Sequence, residues 1–576
     1  MDCLGCSFCR VVALVFVMAS FDSCSPESNP LQPEPPAPVV PDEPENPGQG
    51  ESPAPAASLT GRILSTDGTP LVNVVVSDGV EVVTTDADGN YSIESSKATG
   101  CVFVSVPSGY EAPCRGNLPQ FFATLTAAPD VAETHDFVLR PVDQKQYTML
   151  VQADQHLARR TDDLAQFTGT AAPYMNAAID SLRLLGRRVY SLSLGDAGWE
   201  QFWTANNFGL TDAVAMLGRI DCPIFYTIGN HDNSPYIPDD WLSSAIFREN
   251  IAPDYYSFNI GEVHYVVLDN VVYNNIGATE TTMGDRSYER RLTDAQFEWL
   301  ARDLARVPHD TPLVVCAHVP FYSDPVIIDG TQVSHRNMLG MDRLEDILAP
   351  YADVTLFSGH YHRNYTAESP FRRGLTEHCV ASVCGSLWWT ARSGYTKKHL
   401  CTDGTPGGYG LLDVDGSHMA YRYKGIGLPV DSQFIVYDLN TTNIDEATVT
   451  NTSMKKYVSE YAGAYYRPAP TDDILVNVYN YGPGWTISVR EEGRELTVTR
   501  VRTKDPLHIL AYECQRLSHG AKPTTTSTFI SQESSHFFRA HAGSSTSTIT
   551  VEVTDPQCRR YTQTVRRPKA FTINMQ

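Results

Sequence analysis

Positive charge is scarce in this sequence of 576 residues, which contains 44 Lys and Arg against 67 Asp and Glu. The formal net charge of −23 argues against a surface built to neutralise a chain of phosphates, so no nucleic-acid polymer is expected as a partner. A single phosphate group can still be a ligand if metal ions supply the positive charge. The chain is also too long for one ordinary core, so several domains are expected.

Paired cysteines are missing after the first 24 residues. Four of the 13 cysteines precede residue 25, and the other nine are scattered without a C-x-x-C pair. This spacing argues against a zinc ribbon. In an oxidising compartment Cys101 and Cys114 are plausible disulfide partners, because they flank a loop rich in Pro and Gly.

Long apolar runs are missing from the N-terminal region. The run over residues 11–19 follows Arg10 and is too short to span a bilayer, as in the apolar part of a signal peptide. The Pro- and Glu-rich residues 25–57 cannot pack a core and form a linker. Residues 1–24 resemble the leader of a bacterial lipoprotein with a lipid on Cys24. We therefore expect an exported protein, anchored by that lipid alone to the outer membrane or cell surface, or else secreted to the periplasm.

The rest of the chain shows three different sequence patterns, one after another. Residues 58–142 alternate apolar and polar side chains between Asp-Gly turn signals, the pattern of a small β-sandwich domain. Residues 146–428 alternate strand and helix patterns, which predicts an α/β domain. Residues 432–576 are rich in β-branched residues with a period of two and are expected to form an all-β domain.

Polar side chains gather at the C-terminal ends of five strands predicted in the α/β domain, the edge where open α/β sheets bind ligands. These strand ends read ADQH, GDAGW, GNHD, AHVP and GHYH, and they supply Asp154, His156, Asp196, Asn230, His318, His360 and His362. Such a mixture of nitrogen and oxygen ligands suits Zn²⁺, Mn²⁺ or Fe better than Mg²⁺ or Ca²⁺. Because alternate residues of a strand point the same way, the D-x-H and H-x-H pairs are each expected to aim two ligands into one pocket.

The order D-x-H, G-D-x-x, G-N-H-D/E, H and G-H-x-H across residues 154–362 resembles the calcineurin-like metallophosphoesterase superfamily. The resemblance implies a four-layered α/β/β/α core, flanked by an N-terminal β-sandwich-like domain and a C-terminal all-β domain as in exported bacterial members. It also implies two divalent metal ions, Mn, Zn or Fe. One would be held by Asp154, His156, Asp196 and His362, and the other by Asp196, Asn230, His318 and His360.

The resemblance further implies an enzyme that hydrolyses phosphomonoesters or phosphodiesters by attack of a metal-bridging hydroxide, outside the cytoplasm. Its substrate would be a small-molecule, glycan or lipid phosphoester. His231 would face the substrate phosphate, and Asp232 would hold the His231 ring. The second motif departs from the family where Trp199 and then Glu200 replace the usual Asp, Asn or Tyr. Without the tyrosine ligand of purple acid phosphatases, no purple Fe(III) centre is expected.

Substrate contacts are expected from Arg363, which lies beside a metal ligand and can fork a phosphate, and from Tyr322 after the fourth motif. The Trp388–Trp389 pair with Arg392, and the polar residues 157–172, are further candidates near the site. Two other functions remain open at this point. The chain could be a metal-dependent protein that binds a phosphorylated or glycan ligand with little turnover, or a surface-binding module whose β-domains are the functional parts.

Overall fold

The computed structural model describes residues 57–328 and 331–575. The predicted leader and all but the last residue of the predicted linker lie outside these residues. Within the described part, no helix has both the length and the apolar character needed to cross a bilayer. Nine sheets, counted over the same residues, divide into an N-terminal group, a central group and a C-terminal group.

The N-terminal region consists of short strands that form two main sheets. The strands are β1 (Ala57–Ser65), β2 (Val75–Ser77), β3 (Val82–Thr84), β4 (Asn90–Ser95), β5 (Cys101–Val104), β6 (Tyr110–Glu111), β7 (Cys114–Arg115), β8 (Leu118–Pro119), β9 (Phe122–Thr124), β10 (Glu133–Thr134) and β11 (Phe137–Pro141). One sheet has the order β10-β1-β11-β6 with β4 paired to β1, and the other has the order β3-β2-β5-β9. Strand β4 alternates exposed and buried residues, as the predicted period of two requires.

The disulfide predicted between Cys101 and Cys114 is wrong, because both residues are free thiols. Cys101 is buried in the core strand β5, whereas Cys114 is exposed on the small β7–β8 ribbon. Their side chains therefore lie in different environments of the same region. Burial raises the pKa of Cys101 to about 12, so this thiol is unreactive.

The central region contains two mixed sheets and their covering helices. Its strands are β12 (Gln146–Gln152), β13 (Arg188–Ser193), β14 (Ile224–Tyr226), β15 (Tyr256–Ile260), β16 (Val263–Val267), β17 (Val271–Tyr273), β18 (Tyr288–Arg290), β19 (Leu313–Cys316), β20 (Val326–Ile328), β21 (Thr331–Val333), β22 (Val354–Ser358), β23 (Tyr365–Glu368), β24 (Leu375–Cys379), β25 (Gly408–Asp415) and β26 (His418–Gly425). Its helices are α1 (Asp163–Gln166), α2 (Ala172–Leu184), α3 (Leu210–Leu217), α4 (Asp240–Ser243), α5 (Ala245–Asn250), α6 (Asp294–Leu304) and α7 (Met341–Leu348).

The two central sheets pack face to face. The first has the order β14-β13-β12-β25-β26 and the second β15-β16-β19-β22-β24-β23. The hydroxyls of Tyr147 and Tyr265 join the sheets at 2.8 Å, and the rings of His378 and Tyr421 stack between them at 4.0 Å. Helices α2 and α3 bury apolar faces beside the first sheet, and α6 and α7 do so beside the second. This confirms the predicted α/β/β/α core.

Parallel pairing determines where the functional side chains meet. Strands β12, β13 and β14 are mutually parallel, as are β16, β19, β22 and β24. Parallel strands end at the same edge of a sheet, so the residues that follow β12, β13, β14, β19 and β22 converge. All five strands lie where the sequence predicts them.

Two helices of the central region are capped by side chains in different ways. The Thr293 side chain caps α6 by accepting from the backbone N–H of Gln296. Thr211 does not cap α3, because the helix begins one residue earlier and Thr211 lies inside it. There the Asp212 carboxylate accepts the backbone N–H of Gly209 at 2.8 Å.

The C-terminal region is rich in strands, with short helices inserted. The strands are β27 (Phe434–Asp438), β28 (Asp473–Val478), β29 (Thr486–Glu491), β30 (Arg494–Glu495), β31 (Val498–Lys504), β32 (Glu533–His541), β33 (Thr548–Thr554) and β34 (Arg560–Arg566), and the helices are α8 (Val458–Ala462), α9 (Pro506–Ala511) and α10 (Glu513–Ser518). Two four-stranded sheets, β27-β28-β32-β31 and β30-β29-β33-β34, enclose an apolar core. The period-two pattern predicts these sheets and misses the helices.

Candidate metal centre

The loops after β12, β13, β14, β19 and β22 bring seven predicted side chains into one buried cluster. None of them is more than 7% exposed: Asp154, His156, Asp196, Asn230, His318, His360 and His362. Burying two carboxylates and four imidazoles without counter-charges is costly unless they are paired or bind cations. We refer to these seven residues as the ligand cluster.

One half of the ligand cluster is formed by Asp154, His156 and His362. The Nε2 atoms of the two histidines face each other at 2.9 Å, and Asp154 Oδ1 lies 3.3 Å from His362 Nε2. Ligand atoms bound to one ion at about 2.0–2.1 Å lie about 3 Å apart, so this spacing fits a shared cation. One potential ligand atom from each of these three residues lies within 4.8 Å of the other two.

The other half is formed by Asp196, Asn230, His318 and His360. His318 Nε2 lies 3.0 Å from Asn230 Oδ1 and 3.2 Å from His360 Nδ1. Asp196 Oδ2 lies 3.1 Å from His318 Nε2 and 3.6 Å from His156 Nε2. A single Asp196 oxygen therefore stands between the two halves, where a carboxylate can serve two cations.

Protein groups hold several outer polar atoms of the cluster, which turns the inner atoms toward a ligand. His318 Nδ1 donates to the Leu194 carbonyl at 2.8 Å, so its Nε2 faces inward. Asp154 Oδ2 accepts the backbone N–H of His360 at 2.9 Å, and Asp196 Oδ1 accepts that of His231 at 2.8 Å. This is the arrangement of a site whose donors are oriented before a cation binds.

Backbone conformation, rather than strand alternation, creates the paired ligands. Asp154, His156, Asp196, His360 and His362 all have left-handed φ values between 45° and 68°. The residues lie beyond the strand ends, so the prediction that D-x-H and H-x-H aim their side chains by strand alternation is wrong. Non-glycine residues in this region cost free energy and cluster at functional sites.

Two glycines of the motifs are required by close approach. A Cβ on Gly229 would lie 2.3 Å from Asp196 Oδ1, and a Cβ on Gly359 would lie 2.6 Å from Asp154 Oδ2. Each glycine therefore lets a cluster carboxylate approach the backbone of the neighbouring loop. The G-N-H-D and G-H-x-H spacings follow from this packing.

The charges of the cluster support one another. Burial opposes ionisation of Asp154, but the nearby His362 holds the pKa of this carboxyl well below its ordinary value. Burial likewise opposes ionisation of Asp196, and His318 nonetheless keeps its pKa low. Both carboxylates are therefore charged at neutral pH, which favours a cation between them.

His231 lies beside the ligand cluster and is held by Glu200, for which the sequence pattern predicts no role. His231 Nδ1 is 2.5 Å from Glu200 Oε2, and Arg286 Nη1 donates to Glu200 Oε1 at 3.1 Å. Burial would raise the pKa of Glu200, but His231 and Arg286 lower it. The carboxylate is thus charged and orients the imidazole.

The prediction that Asp232 holds the His231 ring is wrong, because Glu200 contacts that ring. Its Oδ2 accepts the backbone N–H groups of Asp196 and Gly229 at 2.8 and 2.9 Å. Burial and the neighbouring Asp196 charge raise the pKa of Asp232 to about 7. Asp232 therefore ties two motif loops together, and Glu200 occupies the place beside the ring.

Tyr288 is a further residue of the site that no local sequence signal indicates. Its hydroxyl lies 3.0 Å from His360 Nε2, the ring nitrogen that faces away from His318. Tyr288 begins β18, which pairs with β17 in a hairpin far from His360 in sequence. The contact fixes the ring and directs Nδ1 to the cluster.

Tyr322 and Arg363, the predicted substrate contacts, both have partners within the protein. Tyr322 is 0% exposed, and its hydroxyl donates to Glu345 at 2.5 Å. The Arg363 guanidinium pairs with Asp324 at 2.9 Å and lies over the Tyr361 ring. Tyr322 is therefore not available to a substrate, whereas Arg363 Nε is buried without a hydrogen-bond partner among the described residues, so the contact expected from Arg363 stays a prediction.

A third group of potential donors includes His231. The side-chain atoms of His156, Asp196 and His231 also lie close enough to hold one ion. Since His231 Nδ1 already faces Glu200, its other ring nitrogen would be the donor in such a group.

Comparison with known proteins covers most of the described chain. Residues 57–142 match the family model "N terminal of Calcineurin-like phosphoesterase", residues 171–364 match "Calcineurin-like phosphoesterase", and residues 377–561 match "C terminal of Calcineurin-like phosphoesterase".

Curated relatives match shorter segments. The chain is 28% identical over 159 residues to serine/threonine-protein phosphatase CPPED1 of Homo sapiens, covering 27% of this chain and 46% of that protein. It is 32% identical over 111 residues to purple acid phosphatase 15 of Arabidopsis thaliana, covering 19% of this chain and 17% of that protein. The chain thus spans about half the length of CPPED1 and a smaller share of purple acid phosphatase 15. The purple acid phosphatase PPD1 from yellow lupin aligns with a TM-score of 0.33 at 12% identity, over 61% of this chain and 67% of that one.

Proposed function

Since the chain belongs to the calcineurin-like metallophosphoesterase superfamily, we propose that it is a phosphoester hydrolase that works with two divalent metal ions. The observation that carries this proposal is the convergence of the seven ligand-cluster side chains from five strand ends. Their five strained backbones and pre-oriented donors are features of a functional site rather than of a polar core.

Each half of the cluster would hold one ion. Asp154, His156 and His362 would hold the first, and Asn230, His318 and His360 the second, with Asp196 contributing to both. The imidazole-rich set fits Mn²⁺, Zn²⁺ or Fe. Two such ions supply Lewis acidity for the phosphoryl group and activate water for attack.

The residues around the cluster would position the substrate and its protons. His231, held through Nδ1 by Glu200, would direct its other ring nitrogen to the leaving oxygen and donate a proton there. Arg286 would keep Glu200 charged, which stabilises the imidazolium. No covalent nucleophile is required from the chain.

The relatives support a phosphomonoester as the first substrate to test, because two of them are named phosphatases. The position of the tyrosine ligand of purple acid phosphatases is occupied by Trp199 here, so we do not propose their coloured iron centre. Phosphodiesters and phosphorylated glycans or lipids remain within the proposed substrate class.

The test is a metal titration with an aryl phosphate and its diester. After removal of metal by chelation, activity should vanish and return with about two divalent ions per chain. The Asp196→Asn variant should lose affinity for both ions at once, because one bridging charge is removed from each site. Full turnover after exhaustive chelation would contradict the proposal.

We also propose that the protein acts outside the cytoplasm, held by a lipid on Cys24. The support comes from the short apolar run and the Pro-rich residues that follow it in the sequence. Replacing Cys24 with Ser should move the protein from the membrane fraction to the soluble exported fraction with unchanged specific activity. Unaltered membrane association would refute the lipid anchor.

A further inference from the structure

Three arginines that stack on the Trp199 and Trp389 rings form no ion pair with a carboxylate in the described part of the chain. They are Arg160, Arg392 and Arg516. We call this group the arginine cluster.

Arg160 lies one aromatic ring away from the candidate centre. Its guanidinium carbon is 4.6 Å from the centre of the Trp199 ring and 4.7 Å from that of Phe202. The rings of His156 and His231 also contact Trp199, at 5.3 and 5.8 Å. The Trp199 ring therefore contacts both the candidate centre and the Arg160 guanidinium.

Arg392 and Arg516 share a second aromatic platform. Each guanidinium carbon lies 4.4 Å from the centre of the Trp389 ring. Arg392 follows Trp389 in the central region, whereas Arg516 comes from α10 of the C-terminal region. The Nε atoms of both arginines and the Trp389 Nε1 are buried without a hydrogen-bond partner among the described residues. These donors lack the partner that a bound anion would provide.

The two platforms adjoin each other. The Trp388 indole donates to the Gln155 carbonyl at 2.8 Å, and Gln166 Nε2 bridges the carbonyls of Thr161 and Trp388 at 2.9 and 3.0 Å. The charge of Arg392 also acts on Arg160, whose pKa is lowered to about 10 chiefly by burial. The loop before α1 and the segment around Trp389 thus form one surface.

Two acidic residues beside Arg160 and Arg392 accept hydrogen bonds from backbone groups. The Asp163 carboxylate accepts the backbone N–H groups of Ala158, Arg160 and Leu164. Asp162 Oδ2 accepts the backbone N–H of Ser393 at 3.3 Å. Among the described residues, the guanidinium groups of Arg160 and Arg392 form no hydrogen bond, whereas Arg516 Nη2 donates to the Lys522 carbonyl at 3.5 Å and the Arg516 side chain also bonds to Tyr395. Stacking on a ring holds a guanidinium flat while leaving its in-plane donors free for a phosphate or carboxylate.

We propose that the arginine cluster binds a second anionic group of the substrate, at the end opposite to the phosphoester that is hydrolysed. This inference rests on the proposed hydrolysis and narrows its substrate class to compounds with two anionic ends. It also gives the C-terminal region a function, because α10 supplies one of the three arginines.

The experiment uses the metal-loaded, full chain and a series of straight-chain alkyl phosphates that differ at the far end of the alkyl chain. The far end is a hydroxyl, a carboxylate or a second phosphate, and the spacer is varied. Phosphate release gives kcat/KM, and calorimetry gives the equilibrium affinity independently of turnover. The two anionic ends distinguish a carboxylate-recognising subsite from a phosphate-recognising one.

The wild type should prefer an anionic far end to a hydroxyl by about tenfold or more, mainly through KM, as expected for charge-assisted hydrogen bonds. Arg392→Met and Arg516→Met should each reduce that ratio, since Met keeps the packing and loses the charge. Arg343→Met is the matched control, because Arg343 lies 4.4 Å over Phe297 but pairs with Asp294 away from this surface. The control should retain the full preference.

The outcomes separate this inference from the proposed function. Equal rates and affinities for all far ends, or a preference that survives both arginine variants, would overturn the inference while leaving hydrolysis intact. Anion-dependent binding that disappears in both variants, without hydrolysis of any compound, would support the subsite and refute the proposed hydrolase.

Discussion

At the scale of single residues, His231 is the side chain beside the cluster whose loss should change chemistry more than metal binding. Glu200 holds its ring at 2.5 Å, and the backbone N–H of His231 donates to Asp196. If His231 donates a proton to the leaving oxygen, its contribution should grow as that oxygen becomes more basic.

His231→Ala should therefore keep its metal content and lose turnover by roughly 10²–10⁴-fold for an alkyl phosphate, with a clearly smaller loss for a nitrophenyl phosphate. Glu200→Gln should show the same trend more weakly, because the ring stays but loses its charged partner. The measurement is kcat for a series of leaving groups with metal analysis of each variant. A uniform loss across the series would assign His231 to phosphate binding, and a loss of metal would assign it to the ligands.

The same scale shows which site residues the sequence can predict. The seven ligand-cluster residues were predicted as ligands because each stands in a short motif at a strand end, and the motifs follow one order. Glu200 and Tyr288 were not, because their contacts depend on how separate loops pack. The Tyr288 hydroxyl contacts His360, which lies 72 residues further along the chain, and no sequence pattern around Tyr288 indicates that contact.

At the scale of elements, the loop between β14 and the next helix depends on a residue without a side chain. A Cβ on Gly229 would also lie 2.5 Å from the backbone nitrogen of Asp196, so the two loops cannot keep their spacing. Gly229→Ala should displace the Asp196 carboxylate and weaken metal binding by about tenfold or more, the range seen when the support of a ligand is lost.

Gly169→Ala is the control for this prediction, because a Cβ at Gly169 would meet no atom within 4 Å. Metal content after dialysis and the melting temperature should be measured for both variants. A Gly229→Ala protein that keeps two tightly bound ions would contradict the role assigned to the close approach.

Elements also mark the limit of the sequence patterns. The period of two predicts the C-terminal strands, but α9 begins where the Asp505 carboxylate accepts the backbone N–H of His508 at 2.9 Å. All residues of that short helix are buried, so its sequence lacks the alternation of apolar and polar faces that would predict a helix. The sequence indicates only part of the arginine cluster: Arg392 and the Trp388–Trp389 pair are candidates there, whereas Arg516 joins them only when α10 packs beside Trp389.

At the scale of the whole molecule, a buried group between the central and C-terminal regions should make stability depend on pH. Ser386 Oγ and Ser531 Oγ contact the two ring nitrogens of His508 at 2.6 and 2.7 Å. Glu513 lies beside this ring, with Oε2 3.7 Å from His508 Nδ1, and is 1% exposed. Burial raises the pKa of Glu513 to about 7 and lowers that of His508 to about 3, so both groups favour their neutral forms.

Because the folded state binds the Glu513 proton more tightly than the unfolded state, stability should fall as pH rises from about 4.5 to 7. The effect for this one group is roughly 3 kcal/mol at most. Glu513→Gln imitates the protonated acid and keeps the acceptor for the Ser531 N–H. Its unfolding free energy should match that of the wild type near pH 5 and exceed it at pH 8.

The control is Glu298→Gln on the exposed side of α6, which should follow the wild type at both pH values. Chemical denaturation of all three proteins provides the measurement. An unfolding free energy of Glu513→Gln that lies below the wild type by the same amount at pH 5 and pH 8 would refute the pKa assignment.

The left-handed backbones of five cluster residues have a consequence for the thermodynamics of metal uptake. The free energy needed to adopt these left-handed conformations is spent when the chain folds and not when the ions bind. Uptake should therefore order few residues and bury little new surface, so its heat capacity change should be close to zero, unlike that of a domain that folds around its metal. A centre prepared in this way can exchange one cation for another without rearranging, and its occupant would follow the supply of metal in its surroundings.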